Sequence, residues 1–488
     1  MMKSLRHVSI VVLIMFGLLF GSTSVLQYVQ ADSLRADGRN SRTLIDDLSR
    51  PRGPILIDGT PIAKSVPVDD AYKYQREYGT GKYPAAMYSN LTGYFSITSG
   101  TSGLENKMNG LLSGTDDALA FSRVQDVLTG EQTRGAAVEL SIDPKAQKAA
   151  WDGLGDQKGA AVALDPKTGK ILAMVSKPGW NPNKLATHDR DAAVKAAENY
   201  SSDPEKAYYN RAIAGNRYPP GSTFKLVTAS AALEAGKTED STVASPNQLN
   251  IGRYSMRNAG GETCGDGKTT TIKDALTISC NTAFANLGID NGYDKMLAQA
   301  KKFGFEKSNL QIPLDVVKSV FPSTNDDKSM LAKASIGQQD VQVTPLQVAM
   351  VSAAIANQGT VMEPQLIKQV KNQKTLKVIE KPGKKSMGRA ISKKTASQLT
   401  DMMESVVDKG TGRSAQISGV KVAGKTGTAQ HAEGGHPHAW FTSFAPADDP
   451  QVAVAVVVEN GGNAGSEASG GRVAGPIAKD MMEAVIDK

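Results

Sequence analysis

Five apolar runs rich in alanine and valine constrain this chain most, because of where they fall. Two of them, Ala160–Leu164 and Ile171–Val175, are joined by Asp165-Pro-Lys-Thr-Gly-Lys170, a turn by its Asp, Pro and Gly. Three more, around Val420–Ala429, Ala439–Phe444 and Val452–Val458, follow only near the end of the chain. Between the two groups, to about Gln358, the pattern is mostly helical. Strands so far apart share one sheet only if the helical middle is an insertion. The pattern therefore predicts an α+β fold, a five-stranded antiparallel sheet between helices. One helix is expected near Pro144–Leu154 and a closing helix over Arg472–Ile486.

The N-terminal part is organised differently. Residues Val8–Val29 form an apolar stretch behind Lys3 and Arg6, and about 20 such residues span a bilayer. A cleaved signal peptide with an Ala31–Asp32 cut is the alternative. Arg35, Arg39 and Arg42 beyond the stretch balance the charge before it, so charge leaves orientation open. Asp32–Arg50 is polar and reads as a stalk. From Arg52 to about Leu140 short strands and turns are expected, including turns at Gly93–Ser96 and Gly100–Gly103. The expected division is a membrane segment at 8–29, a stalk and pedestal at 32–145, and the main domain at 146–488.

With 488 residues, 40% hydrophobic and 22% charged, the chain is long enough for two or more globular domains. A net charge of +7 suits anionic membrane and wall polymer. No basic block interleaved with aromatics suggests nucleic acid.

Three short motifs occur in order: Ser222-Thr-Phe-Lys225, Ser279-Cys-Asn281 and Lys425-Thr426-Gly427. A serine hydroxyl is a weak nucleophile until a base takes its proton. Lys225, three positions on, shares a helix face with Ser222. Ser222 follows Tyr218-Pro-Pro-Gly221 and opens an alanine-rich apolar stretch ending near Gly236, so it belongs in the first turn of a helix. There its backbone N–H is free and the helix dipole favours negative charge, which suits an oxyanion hole. Ser279 lies between helix-like runs Ile272–Ile278 and Thr282–Leu287, where Ser279 and Asn281 can relay a proton and hold Lys225. The strand with Lys425, Thr426, Gly427 and Thr428 can supply a second oxyanion donor. Gly427 leaves room for a peptide to lie beside this strand, while Lys425 and Thr426 bind its carboxylate.

The chain carries its own decoys. Ser418–Lys421 repeats the first pattern, but Gly419 interrupts any helix that could align the pair. Lys167–Gly169 repeats the third inside the predicted hairpin turn. Ser245–Asn247 and Ser323–Asn325 repeat the second in loop contexts. There are five histidines, none near Ser222, and no G-x-S-x-G elbow, which excludes a Ser–His–Asp hydrolase of that kind. His431, His436 and His438 cluster loosely in a glycine-containing segment with no helical ligand pair, so a solvated loop is expected rather than a metal site.

The ordered trio resembles the S-x-x-K, S-x-N, K-T-G signature of penicillin-binding proteins and serine β-lactamases. More of the chain is similar to class B penicillin-binding proteins: Asn210-Arg211-Ala212 before the nucleophile, Ser335-Ile-Gly-Gln338, Val343-Thr-Pro-Leu-Gln347, Asn357-Gln-Gly359, Ala439-Trp-Phe441 and Arg52-Gly-Pro-Ile55 with Ile62-Ala63. The short pedestal resembles the compact actinobacterial type called penicillin-binding protein A. The middle motif reads S-C-N where many relatives have S-D-N.

The resemblance implies the penicillin-binding fold and a D,D-transpeptidase. Its Ser222 attacks the D-Ala-D-Ala end of a stem peptide, releases D-alanine and passes the acyl group to a neighbouring stem. β-Lactams are implied as covalent inhibitors, an uncleaved anchor with the enzyme outside as location, and a membrane glycosyltransferase of the shape–elongation–division type as partner. No cofactor is implied. A D,D-carboxypeptidase, a β-lactamase and a β-lactam sensor are alternatives on the same fold. The two cysteines, Cys264 and Cys280, are either two buried thiols or a disulfide, which an extracytoplasmic location permits. Such a bond contributes roughly 3 kcal/mol and would steady Ser279 and Asn281.

Overall fold

The computed structural model describes residues 2–30, 48–130, 132, 134–215, 217–310, 312–324, 327–430 and 435–486. Most of the expected stalk, the Ala31–Asp32 junction, Arg35, Arg39, Arg42 and His431 lie outside the described residues. Helix α1, Met2–Ser24, continues through a π turn over Val25–Val29. Its Arg6–Val29 portion, 24 residues, is long and apolar enough to cross a membrane. At 1.5 Å per residue that is about 36 Å, against ~30 Å of bilayer hydrocarbon.

Strands β1 (Ile55–Ile57), β2 (Thr60–Pro67) and β3 (Tyr74–Tyr78) form a meander. Helices α2 (Ala85–Thr92) and α3 (Ala120–Thr129) follow, in a region whose glycines and short apolar runs had suggested only strands and turns. Then come β4 (Ala137–Leu140) and α4 (Pro144–Leu154). Helix α4 starts where the sequence dictates: the Asp143 carboxylate accepts from the backbone N–H groups of Lys145 and Ala146, with Pro144 in the first turn. Strands β5 (Gly159–Leu164) and β6 (Ile171–Lys177) flank the predicted turn, where Asp165 Oδ1 accepts from Lys167 N at 2.9 Å.

The helical insert contains α5 (Lys225–Glu234), α6 (Ile272–Thr277), α7 (Asn281–Asn291) and α8 (Pro345–Ala356). After it come β7 (Ile367–Lys371), β8 (Val378–Glu380) and α9 (Lys393–Asp408). Strands β9 (Ala423–Ala429), β10 (His438–Ala445) and β11 (Val452–Val458) precede the closing helix α10 (Gly470–Ile486).

The central sheet runs β9-β10-β11-β5-β6, antiparallel throughout. Both faces of the inner strands are buried, so β5 and β11 read as unbroken apolar runs. The two-residue side-chain period still divides them. Val452, Val454, Val456 and Val458 join the core under α4 and α10, whereas Ala453, Ala455 and Val457 join the core under α8. The result is helix, sheet, helix, with β9 left at an edge.

A second sheet, β8-β7-β4-β1-β2-β3, takes four strands from before residue 145 and two from after the insert. Strand β4 pairs in parallel with β1 and antiparallel with β7. Glu139 on β4 grips Lys368 at 2.9 Å and Lys371 at 3.0 Å on β7. Although desolvation opposes it, hydrogen bonds from these lysines and Gln369 hold the carboxyl pKa at about 2.

Candidate active site

Tyr218-Pro-Pro-Gly221 is fastened from several sides before the chain turns into α5. Tyr218 N donates to Val343 O at 2.9 Å, and Trp440 Nε1 donates to Pro219 O at 3.1 Å. Glu459, just past β11, accepts from Tyr218 OH at 2.6 Å and Arg211 Nε at 2.8 Å. Gly221 has φ of +52°, and a Cβ there would lie 2.7 Å from Thr428 O. Only glycine permits that approach to β9. Ser222 follows in a 3₁₀ turn, Gly221–Phe224, which runs directly into α5. Ser222 is half-buried, while Lys225 and the next eight residues are buried.

The Ser279-Cys-Asn281 segment occupies the break between α6 and α7. Ser279 has φ of +64°. Its N–H bonds Leu276 O at 3.1 Å, and the Cys280 N–H reaches back to Ala275 O at 2.8 Å. This is the pair of bonds that closes a helix on a left-handed residue, usually glycine. A serine there costs about 1–2 kcal/mol of backbone strain. Asn281 then opens α7. The helix receives no cap from Cys280 but takes one from a distant loop: Asn258 Oδ1 accepts from Asn281 N at 2.9 Å and Thr282 N at 3.1 Å. The Cys264–Cys280 disulfide ties the end of that loop to the same segment.

Lys225 Nζ donates to Ser279 O at 2.7 Å and Asn281 Oδ1 at 2.8 Å, and lies 3.3 Å from Ser279 Oγ. Lys425 Nζ donates to the same Ser279 Oγ at 2.9 Å and to Thr426 O at 3.0 Å. Both lysines are wholly buried, and among the described residues neither has a carboxylate partner. Burial drives Lys225 well below the ordinary lysine pKa, and the Lys425 charge adds to this. Burial alone lowers Lys425 to about 7. A neutral amine has two N–H donors and one lone pair. In a neutral Lys225 the two short bonds to Ser279 O and Asn281 Oδ1 would use both donors and leave the lone pair for a hydroxyl proton, with Ser279 Oγ at 3.3 Å.

Ser222, Ser279, Asn281, Thr426, Gly427 and Thr428 line one cleft of about 460 Å³. All three motifs thus meet, with Lys225 and Lys425 beneath the floor and Cys264–Cys280 in one wall. A Cβ on Gly427 would meet Thr223 Cγ2 and Trp440 Cβ, both at 2.9 Å. Glycine there lets the nucleophile turn pack on β9, a role the sequence argument had given to substrate clearance. The decoys stay apart: Lys167–Gly169 is in the β5–β6 turn, and Ser418 is in a turn before β9. His438 is buried on β10, its Nδ1 accepting from Asn460 N at 3.1 Å.

Sequence reasoning missed Asn258, Glu459 and Thr411, whose hydroxyl lies 2.7 Å from Thr426 Oγ1. None belongs to a local motif. The glycine-rich Gly461–Gly471 segment contributes Ser469, Gly470 and Gly471 to the cleft lining.

Two buried lysines around a shared serine, beside a helix-borne nucleophile and an edge strand, define an acyl-transferring serine site. Residues 159–483 match the penicillin-binding protein transpeptidase domain, and residues 52–138 match the penicillin-binding protein A dimerisation domain. The chain belongs to the penicillin-binding protein transpeptidase family. It is 42% identical to the peptidoglycan D,D-transpeptidase PbpA of Mycolicibacterium smegmatis, covering 100% of this chain and 99% of the relative. The protein of that name from Mycobacterium tuberculosis is 39% identical over the same shares. Among solved structures, the ceftriaxone acyl-enzyme complex of penicillin-binding protein A from M. tuberculosis superposes with a TM-score of 0.86, at 38% identity, covering 91% of this chain and 100% of that one. The penicillin G acyl-enzyme complex gives 0.84 over 90% and 100%.

Proposed function

We propose that this chain is a membrane-anchored D,D-transpeptidase that cross-links peptidoglycan stem peptides and is acylated by β-lactams. The observation that carries the reading is the buried, carboxylate-free Lys225 one turn after Ser222, its N–H donors fully engaged by the S-C-N segment.

Ser222 Oγ loses its proton to the Lys225 lone pair as it attacks the carbonyl of the penultimate D-alanine. The developing oxyanion is held by the Ser222 backbone N–H and a donor from β9. Collapse breaks the amide bond, and a proton passes from Lys225, through Ser279, to the departing D-alanine amine. The acceptor stem's amine then attacks the acyl-enzyme carbonyl and gives one proton to the neutral Lys225, which passes it to the departing Ser222 oxygen as the cross-link forms. Lys425, Thr426 and Thr428 bind the donor's terminal carboxylate, and Gly427 sets the distance between β9 and the nucleophile turn. Asn281 orients Lys225. The Cys264–Cys280 bond steadies the S-C-N segment.

The division proposed is an anchor at 8–29, stalk and pedestal at 32–145 and the transpeptidase domain at 146–488. The catalytic part faces the extracytoplasmic side, a location that favours a disulfide. Glycan polymerisation falls to a membrane glycosyltransferase partner of the shape–elongation–division type.

The test is incubation with fluorescent penicillin and a D-Ala-D-Ala stem mimic, with and without an amine acceptor. A long-lived adduct at Ser222 and D-alanine release that rises with acceptor are expected. Adduct loss within seconds indicates a β-lactamase, and acceptor-independent D-alanine release a carboxypeptidase.

A further inference from the structure

Outside the cleft and α1, the largest apolar exposures among the described residues gather in one region of the pedestal. Phe121 and Leu128 on α3 are 83% and 81% exposed, and Leu376 and Val378 at the β7–β8 turn are 70% and 51% exposed. Seven residues apart, Phe121 and Leu128 share a helix face. Lys374 Nζ bonds Asp126 Oδ1 at 2.6 Å, holding the β7–β8 turn against α3. A shallow pocket between them is lined by Arg123, Arg134, Lys374 and Asp126; Arg123 also donates to Gly114 O and Asp116 O and pairs with Asp117. Lys377 is exposed beside Leu376, and among the described residues neither it nor Arg134 pairs with a carboxylate.

The chain's path places this surface. Coming from α1, it joins the folded part at Leu48–Ser49, where Ser49 O accepts from Gln132 Nε2 at 2.9 Å, three residues beyond the end of α3. Apolar side chains with a cationic rim, next to the membrane tether, fit the boundary between acyl chains and anionic headgroups.

We propose that α3 and the β7–β8 turn dock on the anionic surface of the membrane that α1 spans, with a headgroup phosphate in the Arg123–Arg134–Lys374 pocket. This rests on the anchoring proposed above. Residues 52–138 match a dimerisation domain, so a second copy of the chain is the competing occupant, distinguished by shielding that rises with protein density rather than with lipid charge.

The two native cysteines are bonded to each other, so one added cysteine takes one label. The full chain with Leu128→Cys carrying bimane is reconstituted in phosphatidylcholine vesicles, with or without phosphatidylglycerol, containing doxyl-labelled acyl chains. Quenching severalfold above that of a Val194→Cys control is expected, and only with phosphatidylglycerol. Arg134→Glu and Lys377→Glu should each reduce the docked-to-undocked ratio about fivefold. Vesicle flotation reports anchoring separately, and unchanged penicillin acylation reports folding. Quenching equal to the control, or unaffected by lipid charge, overturns the proposal. So does shielding that depends on protein density or on an added membrane protein rather than on lipid.

Discussion

Two regions of the molecule bury a pair of cations and treat them in opposite ways. In the pedestal, Arg52 and Arg76 are buried around one buried carboxylate, Glu105, at 2.9 and 2.6 Å. Desolvation by itself would raise the Glu105 pKa, but the two guanidinium groups hold it below the ordinary range. In the cleft, Lys225 and Lys425 are equally buried and have Ser279 between them instead. Arginine cannot lose its proton, so its burial demands a counter-ion. Lysine can, so burial without one favours its neutral amine. On the proposed mechanism, the missing carboxylate is what frees Lys225 to act as a base.

The largest expected effect replaces one solution by the other. Lys225→Arg puts a permanent cation where a neutral amine is needed, and acylation by fluorescent penicillin should fall by roughly a thousandfold or more. A rate within tenfold of the parent would remove Lys225 from the role of base. Lys225→Met should lose acylation equally while raising the denaturation midpoint, because no side chain then has to give up its proton on folding. The pH dependence has a definite sign. The folded pKa of Lys225 lies below its unfolded value near 10.5, so between the two the unfolded chain binds more protons. Stability therefore rises with pH across that window. Acylation should fall on acidification, as the lysine is protonated.

Second in size is Glu105→Gln, which leaves two buried arginines without their counter-charge. Losing one partner of such a cluster costs about 3–5 kcal/mol, enough to lower the midpoint by on the order of 10 °C. Acylation at low temperature should be unchanged. If the midpoint does not move, the pedestal cluster is not the ionic solution the comparison makes it.

What could be read from the sequence follows the same line between local and distant contacts. The Ser222-x-x-Lys225 spacing, the Asp143-Pro144 helix start and the Asp165–Lys170 turn are short-range patterns, and the structure has each in place. The central sheet was legible because β5, β11 and the first five residues of β6 are apolar without interruption. Glu459 was not legible: it grips Arg211 and Tyr218 from more than two hundred residues away. Nor was Asn258, one asparagine in a polar loop until the fold brings it to α7. The same holds for β7 and β8, which pair with a sheet begun far upstream. Pedestal helices α2 and α3 were missed because glycine-rich flanks and exposed apolar residues blur a helical stripe.

Asn258 offers a finer probe of the cleft. Asn258→Ala removes the acceptor for the first N–H groups of α7, a loss of about 1 kcal/mol in helix-cap terms. It also frees Asn281, one of two groups holding Lys225. Acylation should drop roughly tenfold, about 1.4 kcal/mol of barrier, with little change in midpoint. Asn258→Asp, which keeps the acceptor, should restore most of the rate. If both variants acylate like the parent, the distant cap is structural only.

The smallest expected change in stability separates it from chemistry at one residue. Ser279 holds a left-handed backbone in which glycine is relaxed, so Ser279→Gly should remove about 1 kcal/mol of strain. It also deletes the hydroxyl that both lysines contact. A chain that melts slightly higher but acylates far more slowly is expected, measured by thermal denaturation and adduct formation on the same sample. If the variant is both less stable and fully active, the serine is there for packing alone, and the cleft has no strained residue kept for its chemistry.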